Sequence, residues 1–141
     1  MSKLNLLLRK SANGFKGINK MLIHKGDKDN GLLSYMELTD LEFIPRRMYY
    51  ITHTPKGEIR GNHGHYKDQQ YLFCVQGQIK VTLISKEDTV TKTLNAGELT
   101  LLDRMVWSSQ EYMTGDDILL VLCSTKFDEE DYFYDKGVIY D

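Results

Sequence analysis

Turn-forming residues divide this chain at short intervals, and the segments between them are rich in β-branched and aromatic side chains. The turn signals lie at 29–31, 55–57, 77, 86–88 and 95–97. Between them we predict strands at 32–37, 47–52, 70–76, 78–85, 89–94, 98–102 and 117–124. Strands that recur roughly every 8–12 residues, with turns between them, favour an all-β sandwich or barrel.

Local patterns sharpen this prediction in three places. Segments 70–76 and 78–85 are separated by Gly77 alone, which predicts a hairpin with a tight turn. The acidic tail predicts a short helix at 128–132 and a solvated turn at 128–131. Segment 89–94 alternates with a period of two, so one face would carry Val90, Lys92 and Leu94.

Length and charge limit the classes of protein. A chain of 141 residues suits one domain, 1–141, in which we expect residues 1–20 to form an ordered N-terminal arm. The net charge of -2 argues against a nucleic-acid partner. No segment approaches the about 18 apolar residues of a membrane span. Cys74 and Cys123 lie in apolar runs and are predicted to be buried free thiols, while a disulfide would require their strands to be neighbours. Residues 1–10 make a poor signal peptide, so we expect a cytoplasmic protein.

The chemistry of the chain is concentrated in the run Arg-Gly-Asn-His-Gly-His at 60–65. In a strand, side chains two residues apart share a face, so His63 and His65 would project together. The alternative is two surface histidines on a polar loop.

This run resembles the first half of a cupin motif, which has His-x-His, a polar residue and then Gly after a strand. Gln70 stands where metal-binding cupins usually have Glu, and Gly77 follows the strand. The second half, at 97–109, contains no histidine. Two imidazoles and a neutral amide make a poor site for a transition metal, so we expect no metal and no other cofactor. The imidazoles would then be free to act as acid and base.

The sequence also resembles the nucleotide-sugar 3,4-ketoisomerases across residues 29–134. The matching runs are 46–51 (Arg-Arg-Met-Tyr-Tyr-Ile), 60–65 with Gln70, the pair Val106-Trp107, 119–124, and 127–132 (Phe-Asp-Glu-Glu-Asp-Tyr). The resemblance implies a jelly-roll β-barrel of the cupin type, an all-β single domain that forms homodimers without a metal. It further implies isomerisation of dTDP-4-keto-6-deoxyglucose, in which the keto group moves from C4 to C3 through an enediolate. Such a reaction belongs to deoxyamino-sugar biosynthesis.

The resemblance also suggests a role for each site residue. His65 would remove the C3 proton, His63 would orient the sugar and carry the oxygen proton, and Tyr49 would bind the sugar oxygens. The substrate-binding residues would be Arg47, Arg60, Gln70 and Trp107, with the two arginines on the diphosphate.

Each role has an ordinary structural alternative. One of Tyr49 and Tyr50 would pack in the core, and either Arg47 or Arg60 could be a solvated charge. Trp107 could be a core or rim aromatic, and Gln70 could satisfy a buried backbone group.

Three rival functions remain open on the sequence alone. A deoxysugar 3,5-epimerase would share the barrel and the nucleotide, but would use one histidine base with a tyrosine acid. A sugar-binding cupin without catalysis would not require the histidine pair. A metal-dependent dioxygenase would need a third ligand.

Overall fold

A computed structural model describes residues 19–20, 23–27 and 30–141 of the chain. Most of the predicted arm at 1–20 therefore lies outside the described residues. The strands are β1 (Asn19–Lys20), β2 (Ile23–Asp27), β3 (Gly31–Tyr35), β4 (Arg47–Ile51), β5 (Ile59–His65), β6 (Gln70–Gln76), β7 (Gln78–Ile84), β8 (Thr89–Asn95), β9 (Glu98–Leu102), β10 (Trp107–Tyr112), β11 (Ile118–Cys123) and β12 (Tyr132–Phe133). Short 3₁₀ turns occupy Leu38–Asp40, Glu129–Asp131 and Lys136–Tyr140.

The strands form two five-stranded antiparallel sheets and one separate hairpin. The first sheet has the order β1-β9-β6-β11-β4, the second has β12-β5-β10-β7-β8, and β2 pairs with β3. Neighbouring strands are mostly distant in sequence, as in a jelly roll. The predicted all-β, cupin-type barrel is confirmed.

The main core lies between the two sheets. Leu72 and Val121 of the first sheet pack with Val81 and Tyr112 of the second, and all four are buried. The outer face of the first sheet is covered by the segment 36–43, which packs on Tyr71 and Phe73. The C-terminal segment covers the outer face of the second sheet.

Most predicted strands are confirmed within two residues. Segment 89–94 alternates as predicted, with Leu94 buried and Val90 and Lys92 half-buried on one face. Strand β10 was missed, because the polar run Ser-Ser-Gln-Glu hides its β character. Cys74 and Cys123 are buried free thiols, as predicted. Their strands are neighbours, as a disulfide would require. The two cysteines do not face each other, however, because Cys74 lies opposite Leu119 and Cys123 lies opposite Gln70. Nowhere in the described ranges is there a helix of the length and apolarity that crossing a membrane requires.

The predicted hairpin around Gly77 is wrong. Strand β6 pairs with β9 and β11, whereas β7 pairs with β8 and β10, so the chain crosses from one sheet to the other at this glycine. Five consecutive residues of β6 are buried, as expected of a central strand covered on both faces. Gly77 adopts a φ of 83°, and a Cβ there would collide with the carboxylate of Asp117.

Asp117 holds this crossing together. Its buried carboxylate accepts hydrogen bonds from the backbone N–H groups of Gln78, Thr114 and Gly115, at 2.8, 3.0 and 3.1 Å. The hydroxyl of Thr114 also donates to it, at 2.8 Å. Burial opposes ionisation of Asp117, but these hydrogen bonds outweigh it and lower the pKa of the carboxyl.

We expect Asp117→Ala to lower the free energy of unfolding by about 3 kcal/mol at neutral pH, because several buried donors lose their acceptor. Asp116→Ala is the matched control, since Asp116 is exposed and adjacent. The pKa of Asp117 is lower in the folded protein than the value of 3.8 in the unfolded chain. Ionised Asp117 therefore stabilises the fold at pH values above 3.8, and this stabilisation is lost as the pH falls through the lowered pKa. Denaturant unfolding at neutral and acidic pH should therefore show a difference that shrinks in acid. Equal stabilities of the two variants at neutral pH would contradict this prediction.

Candidate active site

An extra residue in β5 determines which side chains enter the barrel. Strand β5 pairs with β10, with His63 opposite Ser108 and Gly61 opposite Ser109, so Asn62 has no partner position. Gly61 and Asn62 have φ values of 89° and 58°, which glycine and asparagine tolerate best. The irregularity is a β-bulge, and it resets the alternation of the strand.

The bulge places three predicted site residues on the inner face. Arg60 lies opposite Gln110, and His63 lies opposite Ser108. Both partners share a face of β10 with Tyr112, which belongs to the core between the sheets. In a regular strand, Arg60 and His63 would face opposite sides. Here Arg60, His63 and His65 face the same side, with Arg60 exposed and His65 buried.

The hydrogen bond of His63 determines which of its ring nitrogens keeps a lone pair. Its Nδ1 lies 2.9 Å from the carbonyl oxygen of Gly61. A carbonyl can only accept, so Nδ1 carries the proton and Nε2 keeps its lone pair. Burial lowers the pKa of His63, although the bond to Gly61 opposes this. The imidazole is therefore neutral at pH 7.

His65 lies deeper, with its ring centroid 5.0 Å from that of His63 and only 2% of its surface exposed. Its Nε2 lies 3.5 Å from the amide nitrogen of Gln70, and its Nδ1 lies 3.7 Å from Oδ2 of Asp131. Burial lowers the pKa of His65 to about 4, and the nearby His63 adds to this shift. Both imidazoles are therefore uncharged at neutral pH, each with one nitrogen that keeps its lone pair.

Arg47 and Tyr49 enter the same space from β4. Nη2 of Arg47 lies 3.1 Å from Oδ2 of Asp68, and its side chain is 20% exposed. The Tyr49 ring lies 5.7 Å from the Arg47 guanidinium carbon and packs on the core, whereas Tyr50 points outward. Burial is the main cause of a raised pKa at Tyr49, so its hydroxyl remains a proton donor.

Asp68 is the acceptor at the centre of a buried polar network. Its Oδ2 accepts from Arg47 and, at 3.0 Å, from the Gln70 amide. Its Oδ1 accepts from the hydroxyl of Ser124 and the backbone N–H of Thr125, at 3.1 and 3.0 Å. The amide nitrogen of Gln70 therefore contacts the side chains of Asp68 and His65, whereas the alternative considered for Gln70 was a buried backbone group.

The C-terminal segment closes the site over the histidines. Tyr132 pairs with His65 across β12 and β5. Its ring centroid lies 4.7 Å from that of His63 and 4.4 Å from that of His65. Asp131 is 7% exposed, so its predicted place in a solvated turn is wrong, while Asp128 is exposed as predicted. Asp131 and Tyr132 were missed as site residues, although both lie in the run at 127–132.

Trp107 does not join this group. Because Ser108 faces the barrel, the neighbouring Trp107 faces the other side of the sheet. It is 7% exposed and packs with Phe133 and Ile139, and its indole N–H donates to the carbonyl oxygen of Tyr134 at 3.2 Å. The core alternative for Trp107 is the one that the structure supports.

Acidic, histidine and cysteine side chains do not gather into a metal-binding group of three or more anywhere in the described part of the chain. A groove lined by Arg46, Lys67, Lys126 and Phe127 includes Asp131 but neither histidine. The absence of a catalytic metal stays a prediction, to be tested directly.

Comparisons with known proteins place this site in a family context. A family model described as "FdtA: WxcM-like, C-terminal" matches residues 16–139. A curated relative from Aneurinibacillus thermoaerophilus, TDP-4-oxo-6-deoxy-alpha-D-glucose-3,4-oxoisomerase, is 32% identical over 107 residues. That match covers 75% of this chain and 77% of the relative.

Solved structures agree with that match. The sugar 3,4-ketoisomerase QdtA from Thermoanaerobacterium thermosaccharolyticum, in complex with TDP, has a TM-score of 0.77 and 29% identity, covering 88% of this chain and 90% of that chain. A histidine-to-asparagine variant of QdtA, in complex with TDP-4-keto-6-deoxyglucose, has the same TM-score and coverage with 28% identity.

Proposed function

The chain belongs to the FdtA family, and on this premise we propose that it is a sugar-nucleotide 3,4-ketoisomerase acting on dTDP-4-keto-6-deoxyglucose. The observation that carries the proposal is a pair of neutral imidazoles, 5.0 Å apart, on the inner face of β5. It occurs in a chain that is 32% identical to a TDP-sugar 3,4-oxoisomerase.

The reaction needs only proton transfers. The C4 ketone makes the C3 proton acidic, and a base removes it to form an enediolate. A proton then returns to C4, and the hydroxyl proton passes from the C3 oxygen to the C4 oxygen. The carbonyl ends at C3, and no electrons leave the substrate. One base at carbon and one carrier at oxygen are therefore sufficient.

We assign the carbon proton to His65 and the oxygen proton to His63. The bond from Nδ1 of His63 to the carbonyl of Gly61 leaves the lone pair on Nε2, which suits a group that exchanges protons with hydroxyls. His65 lies beside carboxylates that would stabilise its protonated form. The hydroxyl of Tyr49 is a donor for the developing oxyanion at the sugar.

The diphosphate is assigned first to Arg60, which is exposed and on the same face as the histidines. Arg47 would contribute from deeper in the barrel, with part of its charge already balanced by Asp68. Gln70 would orient His65 rather than bind the sugar, and Trp107 has no assigned contact with substrate.

Incubation with dTDP-4-keto-6-deoxyglucose in deuterated water, followed by NMR, tests the proposal. We expect a 3-keto product that carries deuterium at C4. A 3,5-epimerase would instead leave the carbonyl at C4 and place deuterium at C3 and C5. A sugar-binding protein would give no turnover. Either of these results would refute the isomerase.

Three variants test the assigned roles. His65→Asn should lower turnover by about 10²–10⁴-fold, because general-base catalysis is lost. His63→Asn should also lower turnover, but exchange of the C3 proton should partly persist. Arg60→Ala should act mainly on substrate affinity. His53→Asn is the matched control, since His53 is exposed and lies outside the site. Near-normal exchange in His65→Asn together with its loss in His63→Asn would reverse the two roles.

Activity should survive treatment with EDTA, because the assigned chemistry uses only side chains. The check is to measure turnover before and after chelation and dialysis, with metal analysis of the same sample. Loss of activity that iron, zinc or manganese restores would show that the reaction needs a metal.

We also propose that the chain forms a homodimer and acts in the cytoplasm, without a nucleic-acid or membrane partner. The leucine-rich arm that motivates the dimer, with Leu4, Leu6, Leu7 and Leu8, lies outside the described residues. Light scattering at micromolar concentration should give about twice the chain mass of 16.4 kDa. A monomer mass would contradict the assembly and leave the reaction untouched.

A further inference from the structure

We propose that Asp131 is the positioning residue for His65: it holds the imidazole with the proton on Nδ1 and stabilises the ring when Nε2 takes a proton from the substrate. This inference rests on the proposed function for its catalytic consequence, and on geometry alone for the pairing itself.

The two side chains face each other in a closed environment. Nδ1 of His65 lies 3.7 Å from Oδ2 of Asp131, and the residues are 2% and 7% exposed. Within residues 30–141, Nδ1 of His65 is a buried nitrogen without a hydrogen-bond partner, so this carboxylate is its electrostatic neighbour. The distance exceeds that of a hydrogen bond, and such contacts often shorten when substrate binds.

Asp131 is held by the segment that directly follows His65. Its carboxylate accepts from the backbone N–H groups of Lys67 and Asp68, at 2.8 and 3.0 Å. Its own carbonyl accepts from the N–H of Tyr66, at 3.0 Å. Three consecutive N–H groups thus fix the aspartate relative to the histidine. Because the carboxylate of Asp131 is held in place by these bonds, it can orient the imidazole ring of His65.

The contact on the other side of the imidazole is compatible with the same tautomer but is too long to fix it alone. The amide nitrogen of Gln70 donates to Asp68 and lies 3.5 Å from Nε2 of His65. An amide N–H beside Nε2 favours a lone pair there, which leaves the proton on Nδ1. That proton points toward Asp131, and Nε2 keeps the lone pair, which the 3.5 Å contact with Gln70 must release before Nε2 can take a proton from the substrate.

The surroundings explain why the carboxylate matters. Arg47, Asp68, Tyr132 and His63 also surround the ring. Asp68 is paired with Arg47, whereas Asp131 is bonded to neutral backbone groups. Both carboxylates favour the protonated form of His65, Asp68 more strongly, but Asp131 is the one whose oxygen faces Nδ1. The partner of His63 is instead a neutral carbonyl.

The test compares Asp131→Asn with Asp128→Asn. Asp128 lies in the same turn, and its carboxylate caps the N–H of Glu130 at 3.0 Å, on the exposed surface. For Asp131→Asn we expect kcat to fall by about 10–100-fold with KM little changed, as when the partner of a reactive histidine is removed. Asp128→Asn should keep the wild-type kcat.

Nitrogen-15 NMR of labelled histidine adds a readout that does not depend on activity. Wild-type His65 should be the Nδ1–H tautomer, and Asp131→Asn should give a mixture of tautomers. A wild-type Nε2–H tautomer would overturn the proposal. So would a lower kcat with an unchanged His65 spectrum, because Asp131 would then support only the backbone.

A second variant covers the case in which Asp131→Asn does not fold, as judged by circular dichroism. Asp131→Glu keeps the charge, so it should keep the Nδ1–H tautomer and most of the activity; a change of tautomer in this variant would count against the pairing. If the wild-type protein does not turn over dTDP-4-keto-6-deoxyglucose, the proposed function fails. The tautomer measurement still decides whether Asp131 positions His65.

Discussion

The pairing of β5 with β10 is the constraint on which the site depends. Strand β5 has one more residue than β10 over the paired stretch, and that extra residue is Asn62. It turns the side chain of Arg60 onto the face that holds His63. A regular strand would separate the charge from the imidazoles by the thickness of the sheet. Asn62 and Gly61 are residue types that accept the positive φ angles of this bulge.

Buried charge is organised around this strand rather than scattered. Asp68 accepts from Arg47, Gln70, Ser124 and the backbone of Thr125, so β4, β6 and the segment after β11 meet at one carboxylate. Burying these charges is costly unless each one is paired and hydrogen-bonded. Gln70 stands where the motif usually has a metal ligand. Here its amide links Asp68 to His65.

Local sequence patterns predicted the strands well and the contacts between them less well. The alternation of side chains in 89–94 predicts which of them are buried, because it depends on the geometry of one strand and not on its neighbours. Gly77 marks a break correctly, but whether the chain turns back or crosses to another sheet depends on partners distant in sequence. The surroundings of Trp107 and Asp131 could not be read from the local sequence, for related reasons. The side of the sheet that Trp107 faces follows from the pairing of Ser108, which local sequence does not reveal. Asp131 lies in an acidic run that is typical of a solvated turn, yet it is buried.

The bonds that fix Asp131 to the backbone of Lys67 and Asp68 join residues 64 and 63 positions apart. Contacts over such long loops form late in folding, because the entropy of closing the loop is lost before the contacts compensate for it. Strands β7 and β8, by contrast, are joined by a short turn and can pair early. During refolding, the recovery of enzyme activity should therefore lag behind the recovery of the β-sheet signal.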